Sequence, residues 1–111
     1  SQRMRLRKSF EFKQVKRKGM RFRDNALWVQ CYFDESVGSK KIGIIATKRL
    51  GGAVRRNLAK RRMRELFRQS QHLVKPGSHI VVLPRTESLA LSYGELQKRF
   101  LKLIASTFME K

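Results

Sequence analysis

The stretch over residues 48–68 constrains the fold more than any other part of the chain, because its charge and its apolar spacing both indicate one two-sided helix. It carries nine Lys or Arg residues and a single acid, Glu65. At about 100° per residue, the apolar residues on one side are Ala59, Met63, Leu66 and Phe67. Four cations and one amide share an arc of roughly 100° on the other side, namely Asn57, Lys60, Arg61, Arg64 and Arg68. The pattern predicts a helix from residue 53 to about residue 70, with one buried face and one face that binds a polyanion.

The basic face is better explained by nucleic-acid binding than by solvation alone. A solvated helix face usually mixes both charge signs and gains i,i+4 ion pairs, whereas this arc contains no acid. Like charges at this spacing are destabilising, so stability alone would not favour them. The whole sequence agrees, since 27 Lys and Arg residues against 8 acids give a net charge of +19 over 111 residues. Such a charge attracts phosphate backbones, although by itself it does not distinguish RNA from DNA or from an anionic membrane.

Length and composition predict a single domain over residues 1–111, with enough apolar residues for one modest core. No apolar run approaches the roughly 18 residues of a membrane span, and no apolar segment follows the basic N-terminus as a signal peptide requires. The sequence therefore predicts a cytoplasmic protein. Cys31 is the single cysteine of the sequence, and its apolar surroundings predict buried packing rather than a disulfide or a reactive thiol.

The remaining periodicities predict an α+β fold with the order helix, three strands, helix, strand, helix (αβββαβα). A short helix is predicted over residues 9–18, strands over 20–23, 26–33, 41–47 and 79–83, and a last helix after Ser92. We expect a small mixed four-stranded sheet packed with three helices, in which the basic helix connects two strands in a β-α-β unit. If those strands are parallel, the general rule favours a right-handed crossover.

Local signals mark the ends of the first and last helices. Ser9 is a candidate N-cap and Gly19 a candidate left-handed stop for the first helix. Ser92 and Glu95 form a capping box for the last helix, and residues 34–39 are a predicted turn. The residues predicted to face inward are Phe12 and Val15 in the first helix and Leu96, Phe100, Leu103, Ile104 and Phe108 in the last.

The sequence TKRLGGAVRRNLAKRRMRE at residues 47–65 resembles the signature of the bacterial ribonuclease P protein component. That family reads Ser-Lys-Lys-x-Gly-x-Ala-Val-x-Arg-Asn-Arg-x-Lys-Arg, followed by an Arg-Glu pair. The resemblance covers nearly the whole chain through Leu6, Phe12, Val15 and Gly19 near the start, Gly43 before the signature, Ile80, Val81 and Val82 after it, and Tyr93 and Leu96 in the last helix.

Two positions depart from the family pattern. Leu58 stands where the family has the second arginine of its Arg-Asn-Arg triplet, and Gly52 replaces a residue that is often polar or basic. The helical spacing predicts that Leu58 lies well outside the basic arc, toward the opposite rim of the helix. Its presence therefore removes one phosphate contact and leaves the main basic stripe intact.

The resemblance implies the protein subunit of a ribonucleoprotein endonuclease. In that family a large RNA subunit performs the catalysis, removing the 5′ leader from precursor tRNA with Mg²⁺, and the protein is accessory. The implied partners are the catalytic RNA and precursor tRNA, with no DNA or membrane partner, and the RNA would use the Mg²⁺. The implied fold is similar to the split β-α-β domains of some ribosomal proteins and has a left-handed crossover, which replaces the general expectation of a right-handed one.

The residues themselves also favour a non-catalytic protein. Metal-dependent nucleases hold their ions with clustered carboxylates or histidines, whereas the acids here are scattered singly, apart from Asp34 and Glu35 in a predicted turn. His72 and His79 have no ligand set near them in sequence, although a fold that paired them would allow acid–base cleavage of RNA. We therefore predict no catalytic residue and no protein metal site.

Two surfaces are predicted to contact RNA. The residues predicted to bind the backbone of the catalytic RNA are Lys48, Arg49, Arg56, Asn57, Lys60, Arg61, Arg64 and Arg68. Alternation along the second strand places Trp28, Gln30 and Tyr32 on the face opposite its core residues. Together with Phe12, they are predicted to form a groove for stacked leader bases, unless a helix covers Trp28 and Tyr32 and makes them core. The basic residues over 3–23 either merge with the first surface or form a separate one.

Three other functions fit parts of the sequence. A structural or assembly protein that binds ribosomal RNA would have the same composition, and it would sediment with ribosomal subunits rather than with a separate RNA. A DNA-binding regulator would need a short partner helix just before Ala53, where the sequence instead predicts a strand over 41–47. A self-sufficient nuclease would need the metal or acid–base groups that the sequence does not cluster.

Overall fold

Three helices and one four-stranded sheet make up the described part of the chain. The computed structural model describes residues 5–6, 9–34, 36 and 38–105, with the backbone alone at 9–11. In chain order the elements are α1 (Ser9–Lys18), β1 (Met20–Arg23), β2 (Leu27–Phe33), β3 (Lys41–Ile44), α2 (Ala53–Ser70), β4 (Ser78–Pro84) and α3 (Tyr93–Ile104), with short 3₁₀ turns at Lys48–Leu50, Gln71–Leu73 and Thr86–Ala90. The predicted α+β order αβββαβα is confirmed.

The sheet is mixed and has the strand order β1-β2-β4-β3. β2 pairs antiparallel with β1 and with β4, whereas β3 runs parallel to β4 and lies directly beside it. α2 connects these two parallel strands, as predicted, and the left hand of that crossover stays a prediction. Residues 5–6 continue the sheet beyond β3, since Arg5 bridges to Ile42 in parallel and the Leu6 N–H donates to the Ile42 carbonyl oxygen at 2.9 Å.

One face of the sheet carries the main core, beneath α2 and α3. Its buried residues include Leu27, Val29 and Cys31 from β2, Ile80 and Val82 from β4, Met63, Leu66 and Phe67 from α2, and Leu96, Phe100 and Ile104 from α3. The predicted apolar sides of both helices are therefore confirmed. Burial raises the pKa of the Cys31 thiol to about 12, so this cysteine serves as packing and not as a reactive thiolate.

The opposite face of the sheet carries a smaller core beneath α1. Its buried members are Leu6, Val15 and Val81, with the half-buried Phe12, Tyr32 and Leu83 packed against them. A Cβ atom on Gly43 of β3 would overlap the Phe12 ring and would lie 3.1 Å from Leu6 Cδ1. The bare glycine therefore lets α1 lie close to the sheet, and this close approach fixes the position of Phe12.

The strands differ from prediction mainly at their ends. β2 begins one residue later than predicted, at Leu27, and β4 is longer, running over Ser78–Pro84 beside the full length of β2. β3 ends at Ile44 rather than at residue 47, although the Ile45 N–H still donates to the Val82 carbonyl oxygen at 3.0 Å. The chain leaves the sheet there because it turns into the loop that buries Leu50.

Gly19 ends α1 for a different reason from the one predicted. Among the described residues, positive φ angles occur at Gly51 and Gly77 and not at Gly19, so the left-handed stop is wrong. A Cβ atom at Gly19 would overlap the Val15 carbonyl oxygen and lie 2.8 Å from that of Cys31. Glycine is needed at this position because the backbone of α1 approaches β2 closely.

The start of α3 follows the predicted signal in part. The Ser92 Oγ accepts a hydrogen bond from the Glu95 N–H at 3.2 Å, which confirms the N-cap. The Glu95 carboxylate accepts from Arg99 Nε at 3.3 Å, so among the described groups it pairs along the helix and does not complete the capping box. The predicted cap by the Ser9 side chain, the turn residue Glu35 and the packing of Phe108 lie outside the described residues.

Arg62 ties α2 to the segment that precedes α3. Its Nη1 donates to the Ser88 carbonyl oxygen at 2.8 Å, and its Nη2 donates to the carbonyl oxygen of Leu91. The Tyr93 hydroxyl adds a hydrogen bond to the Glu65 carbonyl oxygen at 3.1 Å. These contacts fix the two helices relative to each other. The described chain contains no helix with the length and apolar character needed to cross a membrane.

We predict that Gly43→Ala destabilises the protein by about 1–3 kcal/mol, because the new methyl group must displace the Phe12 ring from a packed position. The measurement is urea-induced unfolding. Gly38→Ala is the matched control, since a Cβ atom there would meet nothing within 4 Å. Equal free energies of unfolding for the two variants would contradict the close packing of α1 on the sheet.

Candidate nucleic-acid interface

The outer side of α2 presents most of the residues predicted to bind RNA. Asn57, Arg61, Arg64 and Arg68 are exposed and Lys60 is half-buried, while Ala59 and Met63 on the other side of the helix are buried. The predicted division of this helix into a buried and a basic side is therefore confirmed. Among the described residues, no carboxylate forms an ion pair with Lys60, Arg61 or Arg64.

The loop before α2 carries two exposed cations, Lys48 and Arg49. Gly51 follows them with a φ of 121°, a conformation that residues with side chains rarely adopt. α2 then begins at Gly52 without a side-chain cap and without an acid in its first turn. The positive end of the helix dipole therefore supplements the two cations, an arrangement that favours phosphate oxygens.

Not every cation of α2 is available to a ligand. Arg55 Nε donates to the Leu50 carbonyl oxygen at 2.6 Å and braces the loop, and Arg62 holds the segment before α3. Arg56 is half-buried, and its Nε is buried without a hydrogen-bond partner among the described groups. Arg55 is exposed but donates to the backbone, whereas Arg56 and Arg62 are half-buried, so these three arginines are less available to a ligand than Arg61 and Arg64.

Arg68 pairs with an acid from outside the predicted basic arc, Glu65. Its Nε donates to Glu65 Oε2 at 3.0 Å and its Nη2 pairs with Oε1, because the two residues are three apart on the helix. The hydrogen bond from Arg68 holds the pKa of the Glu65 carboxyl below its usual range. Both side chains are largely exposed, so this ion pair contributes little stability and can exchange for a phosphate contact.

The N-terminal basic group reaches the basic side of α2 at one point. Partial burial, followed by the positive charge of Arg5, lowers the pKa of the Arg64 guanidinium. The bridge between Arg5 and Ile42 holds the chain at this place, next to β3. Arg5 of the N-terminal basic group therefore acts on Arg64, whereas α1, which carries several other cations of that group, packs on the opposite face of the sheet.

Leu58 lies beside the basic side and not on the opposite rim, as the sequence had predicted. A shallow depression of about 540 Å³ on α2 is lined by Val54, Asn57, Leu58, Arg61 and Arg64. The predicted position of Leu58 was wrong because residues three and four apart are neighbours on a helix surface. Leu58 is three residues before Arg61 and four after Val54, so it adjoins both.

The second predicted surface is the face of the sheet opposite α2. Trp28, Gln30 and Tyr32 are half-buried and alternate with buried residues along β2, as predicted. Phe12 and Tyr32 belong to the small core beneath α1, and the Tyr32 ring meets the ring of His79 edge-on with centroids 6.2 Å apart. For Tyr32 the core alternative is therefore the better description, whereas Trp28 lies at the other end of the strand.

Trp28 lines a pocket of about 360 Å³ between the sheet and the loop before α2. The other residues of this Trp28 pocket are Thr47, Arg49, Leu50, Leu83, Pro84, Arg85 and Thr86. The guanidinium carbon of Arg85 lies 4.6 Å from the Trp28 ring centroid, and that of Arg23 lies 5.2 Å from it. The pocket therefore combines an aromatic surface with cations, and Arg49 from the loop before α2 is one of the cations that line it.

Sequence reasoning missed Arg23 and Arg85 as site residues. Arg23 faces Trp28 because β1 and β2 pair in the register that opposes these two residues, and Arg85 follows β4 where Leu83 pairs with Trp28. The alternation of Arg21 and Arg23 in β1 was a usable sequence signal for Arg23. Arg85 had no such local signal, because the pairing of β2 with β4 spans some fifty residues of the sequence.

The described residues offer no metal site. No three His, Cys, Asp or Glu side chains in this part of the chain come together in a way that could hold a metal ion. His72 is exposed in the turn after α2, and His79 is buried in β4 beside Tyr32. What these surfaces do present is exposed cations, which can bind phosphates, and the Trp28 ring, which can stack on a planar ring.

Comparison with known proteins assigns the family. A family model described as Ribonuclease P matches residues 1–107. A ribonuclease P protein component from Pseudanabaena sp. is 38% identical over 93 residues, covering 83% of this chain and 80% of that protein. One from Petrotoga mobilis is 34% identical over 104 residues, covering 90% and 87%. The RNase P protein from Thermotoga maritima has a similar structure, with a TM-score of 0.79 at 27% identity over 89% of this chain and 93% of that one. The chain therefore belongs to the ribonuclease P protein family.

Proposed function

We propose that this chain binds the catalytic RNA of a bacterial ribonuclease P through α2 and binds the 5′ leader of precursor tRNA on the second face of its sheet. The RNA then removes the leader with Mg²⁺. The family supports the role of a ribonuclease P subunit. The observation that carries the RNA-binding assignment is the outward row of Lys60, Arg61 and Arg64, which no described carboxylate neutralises.

Phosphate binding explains why such a row is tolerated. In the isolated protein these like charges repel one another, and Arg5 adds to the repulsion at Arg64. An RNA backbone replaces repulsion by attraction and releases counterions, which strengthens binding at low salt. Lys48, Arg49 and the N-terminus of α2 extend the same surface, and Asn57 supplies a directional hydrogen bond.

The leader assignment rests on the Trp28 pocket. An indole ring with two guanidinium groups nearby can stack a base and hold its phosphate, and the pocket is open enough to admit one. Gln30 and the exposed parts of Phe12 and Tyr32 continue the same face of the sheet toward α1. Because Arg49 belongs to both surfaces, a leader bound here lies next to the catalytic RNA.

The proposed division of labour leaves the bond cleavage to the RNA. The described side chains form no metal-ligand cluster, so we derive no protein step that uses Mg²⁺. What the protein contributes is positive charge, which offsets the repulsion between two RNA molecules and thereby reduces the cation concentration that their association needs.

We predict that Lys60→Ala, Arg61→Ala and Arg64→Ala in combination weaken binding to ribonuclease P RNA strongly while thermal stability holds or rises slightly. Each lost phosphate contact should flatten the slope of log K against log salt by about 0.7–0.9. Arg62→Ala is the control, since its side chain holds Ser88 and Leu91 and its loss should lower stability without changing the slope. An unchanged slope in the triple variant would show that these residues do not neutralise phosphates.

We predict that Trp28→Ala weakens holoenzyme binding to precursor tRNA by on the order of 1–3 kcal/mol, because one stacked base is lost. Binding to mature tRNA, which has no leader, should stay nearly constant, and Trp28→Phe should restore most of the loss. Phe12→Ala and Tyr32→Ala should also lower the free energy of unfolding, since both residues pack beneath α1. Equal losses for precursor and mature tRNA with Trp28→Ala would rule out the leader assignment.

We predict that the purified protein with Mg²⁺ does not cleave precursor tRNA and that added RNA subunit produces the mature 5′ end. The basis is the scattered placement of acids and histidines among the described residues. Denaturing gel electrophoresis of the products measures this. If the RNA-free protein cleaved precursor tRNA and His72→Ala or His79→Ala abolished that cleavage, the result would contradict the accessory role.

A further inference from the structure

We propose that Val54 and Leu58 hold an unpaired base of the catalytic RNA against α2, so that this helix contacts a base as well as phosphates. The inference rests on the proposed function, because it requires that α2 binds the catalytic RNA. It adds an apolar contact, through Val54 and Leu58, to the phosphate contacts of the adjoining Arg61 and Arg64.

Val54 and Leu58 form an exposed apolar surface in the middle of a charged one. Val54 is 83% exposed and Leu58 is 37% exposed, and they are neighbours because they lie one helical turn apart. Single exposed apolar residues are ordinary, but these two lie together and form part of the 540 Å³ depression on α2. Burying them against a partner would therefore be favourable.

The polar residues of the same depression indicate what the partner is. Asn57 can both donate to and accept from a base edge, and Arg61 and Arg64 can bind the flanking phosphates. No described carboxylate forms an ion pair with either arginine. A second copy of this chain is a poor occupant, since a symmetric contact would bring each arginine close to cations of its copy.

An unpaired base fits this depression better than a backbone alone. Phosphates and riboses of a continuous duplex gain little from an apolar floor, whereas an unstacked base has an apolar face that must otherwise stay in water. Leu58 occupies the position where the related motif has an arginine, so this chain presents an apolar side chain there. The geometry points to one base on Val54 and Leu58, with Asn57 at its edge.

The first test separates apolar from electrostatic binding by salt dependence. Leu58→Ala, which keeps a good helix former, should weaken binding to ribonuclease P RNA about fivefold at every salt concentration, with an unchanged slope of log K against log salt. Val54→Ala should behave in the same way, and Leu58→Met should retain most of the affinity. Arg61→Ala should instead flatten the slope by about 0.7–0.9.

The second test identifies the base by chemical probing of base edges in the RNA bound to each variant. We expect one unpaired base that is protected by the wild-type protein and by Leu58→Met, and that becomes reactive with Leu58→Ala. Unchanged affinity and unchanged probing with Leu58→Ala would overturn the inference and leave the proposed function intact. So would self-association of the wild-type chain in sedimentation equilibrium that Leu58→Ala abolishes. Failure of the wild-type protein to bind the RNA at all would overturn the proposed function as well.

Discussion

The burial of one side of α2 against the sheet determines where the rest of the molecule can act. Met63, Leu66 and Phe67 enter the main core together with α3, so the opposite side of an 18-residue helix, about 27 Å long, has to face outward. The parallel pair of β3 and β4 holds both ends of that helix, and the loop before it carries the exposed Lys48 and Arg49.

The cations of α2 have distinct roles, and the position of each cation on the helix determines its role. Arg55 and Arg62 donate to backbone carbonyl groups and hold neighbouring segments in place, and Arg68 pairs with Glu65. Lys60, Arg61 and Arg64 meet no described carboxylate. A net charge of +19 thus includes structural arginines as well as binding ones, and charge counting alone overstates the number of phosphate contacts. On the second surface, Arg49 from the loop before α2 lines the Trp28 pocket.

Local signals in the sequence were sufficient for most elements and insufficient for contacts between them. The period of α2, the alternation in β2 and the Ser92 cap predicted the helix faces, the strand faces and the start of α3, because each signal acts within a few residues. Three other features depend on parts of the chain that are far apart in the sequence. They are the close approach of the backbone at Gly19, the core position of Tyr32 and the approach of Arg85 to Trp28. Leu58 was misplaced because its position was not compared with those of Val54 and Arg61, which are its neighbours on the helix surface at spacings of four and three residues.

Site-directed hydroxyl-radical cleavage in the holoenzyme with bound precursor tRNA tests the central claim most directly, namely that two surfaces of the protein contact two different RNA molecules. Cys31 is buried with its thiol pKa raised to about 12, so a single iron chelate can be attached at Arg68→Cys or at Thr86→Cys. We predict cuts in the catalytic RNA from position 68 and cuts in the precursor leader from position 86. Leader cuts from position 68 together with none from position 86 would contradict the account.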